Sequence, residues 1–297
     1  MRAALKKTRL LFFYYLFSSL FVFSDVSAEN DRAFFWQVTS EQATVYLMGS
    51  IHFADKSFYP LRPAIEKAFQ RSDALVVELD ITRTDDGVYN QLLAQRGMYK
   101  NGDTIKDVLS EETWRQLRQR LRHLNVPYDS VKNYKPGVMV LTLSAIQVMQ
   151  MGFDPALGID VYFLSKAGQK KIIELESLEQ QLNLFLDIPN GELLLKESLY
   201  SLDEADLMMA EMVRYWKTGD EKKMSKLLFE DALNDYPAFN EIYHRLFYDR
   251  NASMTQKIKA MLKQPGNYFV VVGSGHLIGE RGVVNALREK GYDVERR

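Results

Sequence analysis

The sequence predicts an α/β protein in which both ends of the chain build one central mixed sheet. Near the start, buried-strand patterns alternate with an amphipathic segment, and the same strand–helix–strand order returns near the end. Between about residues 85 and 263, apolar residues recur every three or four positions, which is typical of helices. We therefore expect a single domain over residues 29–297, with a helical insertion at about residues 85–263 that covers one end of the sheet.

The N-terminal β/α segment is expected to contain three strands and a helix. Apolar, β-branched runs predict strands at Phe34–Val38, Thr44–Ser50 and Ala74–Leu79. An amphipathic pattern starting near Pro60 predicts the helix at Leu61–Gln70.

The C-terminal segment repeats this order with a strand at Tyr268–Gly273, a helix at Gly282–Lys290 and a strand at Tyr292–Glu295. The insertion between the two segments is expected to be helical, with one strand at Lys171–Glu174. Its helices are expected at Glu111–Leu124, Pro136–Met151, Gly158–Ala167, Leu178–Phe185, Gly191–Thr218, Glu221–Leu228, Ala238–Tyr248 and Ser253–Leu262. No Ser/Gly-rich linker separates these parts, which favours a single domain.

The first 28 residues resemble a Sec signal peptide. Lys6, Lys7 and Arg9 precede the apolar stretch Leu10–Phe23, and small residues lead up to Ala28. The stretch is shorter than the roughly 20 residues that a membrane-spanning helix needs. We therefore expect cleavage after Ala28 and a bacterial periplasmic or secreted protein, with no stable membrane insertion afterwards.

Composition restricts the class of protein. The chain is 46% hydrophobic and lacks cysteine, so an exported form would be held together by its core rather than by disulfides. The net charge is −1, and lysine and arginine are spread along the chain, so nucleic acid is not an expected partner.

Two of the four histidines end nearly the same phrase. His52 and His276 each follow an apolar run and the sequence Gly-Ser-x, which predicts a buried strand whose carboxyl end turns sharply and presents an imidazole. Closing the long loop between the two strands costs little extra entropy, because that cost grows only logarithmically with loop length. The two motifs can therefore lie on neighbouring strands and form one site.

Two carboxylates also follow apolar runs, namely Glu78 and Glu176. Two imidazoles and a carboxylate are a common way to hold a divalent metal while leaving positions open for water and substrate. Each acid also has a simpler interpretation: Glu78 as a solvent-facing residue of an edge strand, and Glu176 as an acid at the start of a helix. His123 and His244 lie within helical patterns and are interpreted as surface or packing residues.

The pair Arg250-Asn251 is predicted to lie between two helices. Asn251 would then cap the helix that begins at Ser253, whereas Arg250 would bind an acid or an anionic group of a substrate.

Six short motifs resemble the TraB/PrgY/GumN family, in the family's order and over nearly all of the mature chain. They are Gly49-Ser50-Ile51-His52 with Phe58-Tyr59-Pro60-Leu61, Val77-Glu78-Leu79-Asp80, Gly158-Ile159-Asp160, Leu175-Glu176-Ser177 with Gln180-Gln181-Leu182, Arg250-Asn251, and Val272-Gly273-Ser274-Gly275-His276-Leu277. The family includes the Tiki metal-dependent proteases, and it is similar to the erythromycin esterase and ChaN groups, which share an α/β core with a helical insertion.

The resemblance implies an active centre formed by His52, Glu78 and His276, with Glu176 and Arg250 lining it as further catalytic residues. We expect His52 and His276 to bind the metal together with a carboxylate, Glu78 or Glu176, and the remaining carboxylate to act as general acid or base. Arg250 would steady a substrate carboxylate or the developing oxyanion. The residues expected to contact the substrate are Arg250, Asn251, Ser50 and Ser274.

The expected function is that of an exported metal-dependent hydrolase that cleaves a peptide or protein substrate with Mn, Co or Zn. Two alternatives stay open: a metal-independent, esterase-like hydrolase, and a non-catalytic protein that sequesters a peptide in a groove. Homodimer formation also stays open.

Overall fold

A computed structural model describes residues 32–83, 86–186, 188–203 and 205–297. The predicted signal peptide, residues 1–28, lies outside these ranges. Within them, no helix combines the length and the apolar character needed to cross a membrane.

The fold is α/β, as expected, and its centre is a six-stranded mixed sheet. The strands are β1 (Phe35–Thr39), β2 (Ala43–Ser50), β3 (Ala74–Val77), β4 (Lys171–Glu174), β5 (Gly266–Gly273) and β6 (Asp293–Arg296). Their order across the sheet is β4-β3-β5-β2-β1-β6, so a strand from the end of the chain lies between two strands from its start. Strands β2, β5, β3 and β4 are parallel, whereas β1 is antiparallel to both of its neighbours, β2 and β6.

The central strand β5 is buried on both faces of the sheet. Residues 269–272 of this strand are completely buried, and a parallel strand covered on both faces shows a continuous apolar run rather than alternation. It pairs with β2 along its whole length, and Ser50 lies opposite Gly273. Both Gly-Ser-x-His motifs therefore leave the sheet at the same edge.

Helices make up most of the remaining described chain. They are α1 (Pro63–Arg71), α2 (Asp86–Arg96), α3 (Ile105–Val108), α4 (Glu111–His123), α5 (Tyr128–Val131), α6 (Pro136–Gln150), α7 (Ile159–Ser165), α8 (Leu178–Leu186), α9 (Gly191–Asp203), α10 (Ala205–Thr218), α11 (Glu221–Ser225), α12 (Asp231–Asp235), α13 (Asn240–Tyr243), α14 (Asp249–Met261), α15 (Ser274–Leu277) and α16 (Val283–Glu289). Short 3₁₀ turns lie at Lys56–Phe58, Pro155–Leu157 and Pro237–Phe239, and π-helical segments at Lys226–Glu230 and His244–Tyr248. The helix predicted over Gly191–Thr218 corresponds to α9 and α10, on either side of residue 204, which is not described.

The predicted break between two helices at Arg250-Asn251 is wrong. The π-helical segment at His244–Tyr248 continues directly into α14, and the backbone at both junction residues, Tyr248 and Asp249, is helical. Arg250 and Asn251 are polar residues of the kind that is common in loops. Here they lie in a helix, and their side chains face a buried polar site. Asn251 therefore does not cap a helix, and its side chain serves that site instead.

The core fixes the sheet edge that carries the histidines. Phe69 of α1 and Phe163 of α7 pack against Phe269 of β5, with ring centroids 5.4 and 4.7 Å apart. From the insertion, the buried Trp216 of α10 donates a 2.8 Å hydrogen bond from Nε1 to the carbonyl oxygen of Gly49. The insertion thus holds the turn that precedes His52.

Candidate functional site

The carboxyl ends of β2, β3 and β5 bring the predicted residues His52, Glu78 and His276 around one point. Gly273 marks that point, because an ideal Cβ added to it would lie 3.5 Å from His52 Nε2 and 3.4 Å from Glu78 Oε1. The same Cβ would lie 3.5 Å from Cδ2 of His276. A glycine here therefore leaves a small space that three potential ligands share.

His276 is held in one tautomer. Its Nδ1 lies 2.6 Å from Oδ1 of Asn251, whose Nδ2 donates to the carbonyl oxygen of Arg281 at 2.9 Å. Since this bond fixes Oδ1 as the acceptor, Nδ1 of His276 must carry the proton and donate it. Burial lowers the pKa of His276 to about 4, so the ring is neutral at pH 7. Its Nε2 lies 3.8 Å from Glu78 Oε1, and since both atoms are acceptors they form no hydrogen bond.

His52, unlike His276, carries a positive charge at neutral pH. Its Nδ1 lies 2.8 Å from Oδ2 of Asp160, and this carboxylate raises the pKa of His52 to about 9. The imidazole is therefore protonated at neutral pH in the metal-free protein. Its side chain is 57% exposed, whereas that of His276 is 5% exposed, so His52 is the member of the site that solvent reaches.

The start of α7 is built to bring Asp160 to His52. A Cβ on Gly158 would lie only 2.5 Å from the carbonyl oxygen of His52, so only glycine permits this approach. The next residue, Ile159, donates its N–H to the carbonyl oxygen of Ile51 at 3.1 Å. The motif Gly-Ile-Asp thus supplies close approach, an anchor and a carboxylate in three consecutive positions.

Glu78 and Glu176 share one guanidinium. Nη2 of Arg250 donates to Oε2 of both acids at 2.6 Å, and its Nε donates to Oε1 of Glu176 at 2.7 Å. Gln181 Nε2 also donates to Glu78 Oε2 at 3.2 Å and to Glu176 Oε2 at 3.0 Å. These bonds occupy Oε2 of Glu78 and both oxygens of Glu176. Arg250 therefore binds two acids of the protein itself.

Glu78 is ionised despite its burial. Burial acts to raise the pKa of Glu78, but nearby His276, His52 and Arg250 outweigh it and hold this pKa at about 2. The backbone N–H of Gly273 contributes by donating to Oε1 at 2.7 Å. Strand β3 pairs with β4 on one side and with β5 on the other, so Glu78 does not follow an edge strand. The interpretation of this acid as a solvent-facing residue is therefore wrong.

The serines of the two motifs hold the two loops together. Ser274 Oγ donates to the carbonyl oxygen of Ser50 at 2.8 Å, and the two residues are 5% and 2% exposed. The expected substrate contacts of Ser50, Ser274, Arg250 and Asn251 stay predictions.

The donor types at this edge suit a divalent metal. Two imidazole nitrogens and a carboxylate oxygen are a ligand set that accepts Mn, Co or Zn. As the side chains stand, however, no three or more His, Cys, Asp or Glu of the described chain are grouped closely enough to hold an ion. The donor atoms are therefore of the right chemical type for a divalent metal, and metal binding would require the three side chains to move closer together.

For two polar residues of the site, Asp160 and Gln181, the sequence predicted no role. Asp160 and Gln181 both lie in motifs that carry the family resemblance, and this is the only signal that marks them. His123 is exposed, and His244 lies 3.8 Å from Asp249 and 2.8 Å from Arg281. Neither histidine is among the groups around Gly273.

Comparison with known proteins gives one family and several distant relatives. The family model described as TraB/PrgY/gumN matches residues 34–296. The chain is 26% identical over 246 residues to the uncharacterized protein YbaP of Escherichia coli, covering 82% of this chain and 87% of YbaP. It is 27% identical to the metalloprotease TIKI2 of Xenopus tropicalis, covering 91% of this chain but only 60% of TIKI2. An uncharacterized protein of Treponema pallidum is 24% identical, with 86% and 80% covered. No solved structure is significantly similar.

Proposed function

Because the chain belongs to the TraB/PrgY/gumN family, we propose that it is an exported, metal-dependent hydrolase that cleaves peptide bonds. The observation that carries this proposal is the convergence of His52, Glu78 and His276 around Gly273. The similarity to TIKI2, which is named a metalloprotease, supports peptide hydrolysis.

In this proposal, His52 and His276, through Nε2, and Glu78, through Oε1, would hold a divalent ion such as Mn, Co or Zn. Bound there, the ion would polarise a scissile carbonyl and lower the pKa of a water molecule toward neutrality. The ion would replace the proton that His52 Nε2 carries in the metal-free protein, so metal affinity should rise with pH.

The other residues of the site hold these ligands in place. Asn251 and Asp160 accept the Nδ1–H groups of the two rings, so each Nε2 is free to face the ion. Arg250 occupies Oε2 of Glu78, whereas Oε1 accepts only the N–H of Gly273 among the described hydrogen bonds and can turn its other lone pair to the shared space. Glu176, with both oxygens bonded, acts by holding Arg250 in place. Substrate would enter on the side of His52, the exposed member.

A metal-independent hydrolase is the second candidate, and the opposite charge states of the two histidines favour it. The pKa of His52 is raised to about 9 and that of His276 is lowered to about 4. At neutral pH His52 is therefore protonated and able to act as a general acid, whereas His276 is neutral and able to act as a general base, although its low pKa makes it a weak one.

One experiment tests both candidates. The purified protein is stripped with a chelator and assayed on a peptide library without metal and after separate addition of Mn, Co and Zn. Metal content is measured in parallel. Under the first candidate, turnover requires added metal, and both turnover and stoichiometric metal are lost in His52→Ala and His276→Ala.

The control is His123→Ala, which removes an exposed histidine from α4 and should change nothing. Turnover that needs no metal but is lost in both histidine variants would favour the second candidate. Turnover that survives His52→Ala and His276→Ala, or no turnover under any condition, would refute both candidates as peptide hydrolases.

A further inference from the structure

A cavity of about 300 Å³ lies in the helical insertion, among α6, α9 and the two π-helical segments. Its walls are mostly apolar and include Leu227, Leu228, Leu246 and Phe247, which all belong to the π-helical segments. Such segments are rare and occur frequently at functional sites. A volume of this size is at the small end of ligand pockets, so the cavity fits a small molecule.

The cavity is separate from the histidine site and has its own access to solvent. Phe247 and Leu228 stand between it and the loop of His276, because a Cβ on Gly275 would lie 2.9 Å from Cε1 of Phe247 and 3.5 Å from Cδ1 of Leu228. Asp231 lines the cavity, yet its side chain is 47% exposed. The cavity therefore reaches the surface at Asp231, where a small molecule can enter.

Glu197 of α9 places a carboxyl group inside this apolar cavity. Its Oε1 accepts hydrogen bonds from Ser201 Oγ at 3.1 Å and from the hydroxyl of Tyr243 at 3.3 Å. No described residue donates to its Oε2, so this oxygen is free to bond to a ligand. Burial raises the pKa of Glu197, because the ionised carboxylate is poorly solvated inside the cavity. A cation beside Oε2 would offset part of that cost.

The charged residues around the cavity favour a cationic ligand. Two acids, Glu197 and Asp231, line the cavity, and none of its described lining residues is Lys, Arg or His. Lys226 pairs with Asp231 Oδ1 at 2.9 Å, and its side chain is 61% exposed, so this lysine lies at the mouth. An anionic ligand would meet two acids, whereas a cation would neutralise the inner one.

The apolar walls determine what kind of cation fits. A bare Ca²⁺ or Mg²⁺ ion would need about six oxygen ligands, and mostly apolar walls are unsuited to such a shell. An organic cation with an apolar body instead matches both parts of the lining. Its charge would lie at Glu197, and its body would contact the leucines of the π-helical segments.

We propose that this cavity binds a small apolar amine, with the ammonium group on Oε2 of Glu197 and the apolar body against Leu227, Leu228 and Leu246. The proposal goes beyond the hydrolase function and does not depend on it, because the cavity has its own entrance and its own acid. Hydrogen bonds to charged groups are stronger than those between neutral groups, so the cavity should prefer an amine to a neutral molecule of the same shape.

The first test compares three probes of similar shape. 2-Phenylethylamine is the cation, 2-phenylethanol the neutral analogue and 3-phenylpropanoate the anion. Each is titrated into the full chain at neutral pH by calorimetry, and leucine methyl resonances are followed by NMR. The amine should bind at least about tenfold more tightly than the alcohol, which corresponds to about 1.4 kcal/mol, and should shift the methyl resonances of Leu227, Leu228 and Leu246. The anion should not bind.

The second test changes the cavity. Glu197→Gln removes the charge but keeps the shape of the side chain and an acceptor for Ser201 and Tyr243. Its affinity for the amine should fall at least about tenfold, whereas its affinity for the alcohol should change little. The matched control is Glu241→Gln, which alters an exposed acid of α13 outside the cavity lining and should bind the amine as wild type does.

A third variant keeps the proposal testable if Glu197→Gln does not fold. Ser198 lines the cavity and is 5% exposed, so Ser198→Leu fills the space and should abolish binding of the amine and of the alcohol. Equal affinity of the wild type for amine and alcohol, or amine binding that is unchanged in Glu197→Gln or in Ser198→Leu, would overturn the proposal. The same holds for an amine that shifts only resonances away from the cavity leucines, or that does not bind at all.

Discussion

Replacing Arg250 with methionine should destabilise the protein strongly, because the guanidinium is the common partner of two buried acids. Arg250, Glu78 and Glu176 have side chains only 15%, 8% and 12% exposed. Arg250→Met removes three charge-assisted hydrogen bonds of 2.6–2.7 Å and leaves two carboxylates close together without a cation. Removing one partner of a buried ion pair costs about 3–5 kcal/mol. For a chain of this size, at about 2–4 °C for each kcal/mol, that corresponds to a fall in Tm of about 6–20 °C.

The loss should depend on pH in a defined direction. The folded-state pKa of Glu78 is about 2, below its ordinary value of 4.5, so Glu78 stabilises the fold above pH 4.5. This contribution is lost as the pH falls through about 2. Without Arg250 the folded pKa rises, and the destabilised variant recovers part of its deficit by binding a proton. The difference between wild type and Arg250→Met should therefore shrink between pH 7 and pH 4.

Urea denaturation at pH 7 and pH 4 measures both effects. Arg214→Met is the matched control, because Arg214 pairs with Glu211 on the surface and exposed pairs contribute about 0–1 kcal/mol. Adding Glu78→Gln and Glu176→Gln to Arg250→Met should recover at least half of the loss. A loss below about 1 kcal/mol, or one that is the same at both pH values, would refute the reasoning.

Two further predictions concern the elements that position His52. In Asp160→Asn, the pKa of His52, measured by NMR titration of its ring, should fall from about 9 toward its ordinary 6.5, and a value that stays near 9 would contradict the assignment. Because folding raises the pKa of His52, the Asp160–His52 pair stabilises the wild type fully below pH 6.5. This stabilisation is lost as the pH rises through about 9, and Asp160→Asn should abolish that dependence on pH. Gly158→Ala places a Cβ 2.5 Å from the carbonyl oxygen of His52, so a loss of about 1–3 kcal/mol is expected on denaturation, and an unchanged midpoint would show that α7 can shift freely.

The sequence was most informative where the chain is buried and regular. Strands β2, β3 and β5 are covered on both faces, so their apolar runs stand out, and the Gly-Ser-x-His phrases mark where two of them end. The order of the strands is less accessible, because β5 enters between β2 and β3 from the far end of the chain. Only the likeness of the two motifs suggested that their strands are neighbours.

The partners of the site residues were harder to foresee. Asp160 lies 108 residues from His52, and an acid in the first turn of a helix has an ordinary local explanation. For Arg250 and Asn251, local preferences predict a loop. They lie in α14 instead, and both side chains bond to buried partners. Hydrogen bonds between buried polar groups that are distant in the sequence form only in the folded structure, so local sequence patterns do not predict them.

Gly273→Ala gives the most direct test of the claim that His52, Glu78 and His276 form one centre. The backbone at Gly273 suits any residue, and the added methyl would make ordinary contacts of 3.4–3.5 Å, so the Tm should change little. The methyl would nevertheless occupy the space that the three side chains share. We expect wild-type stability with loss of stoichiometric Mn, Co or Zn binding and of peptide turnover. Metal binding and turnover at wild-type levels in Gly273→Ala would contradict the shared centre.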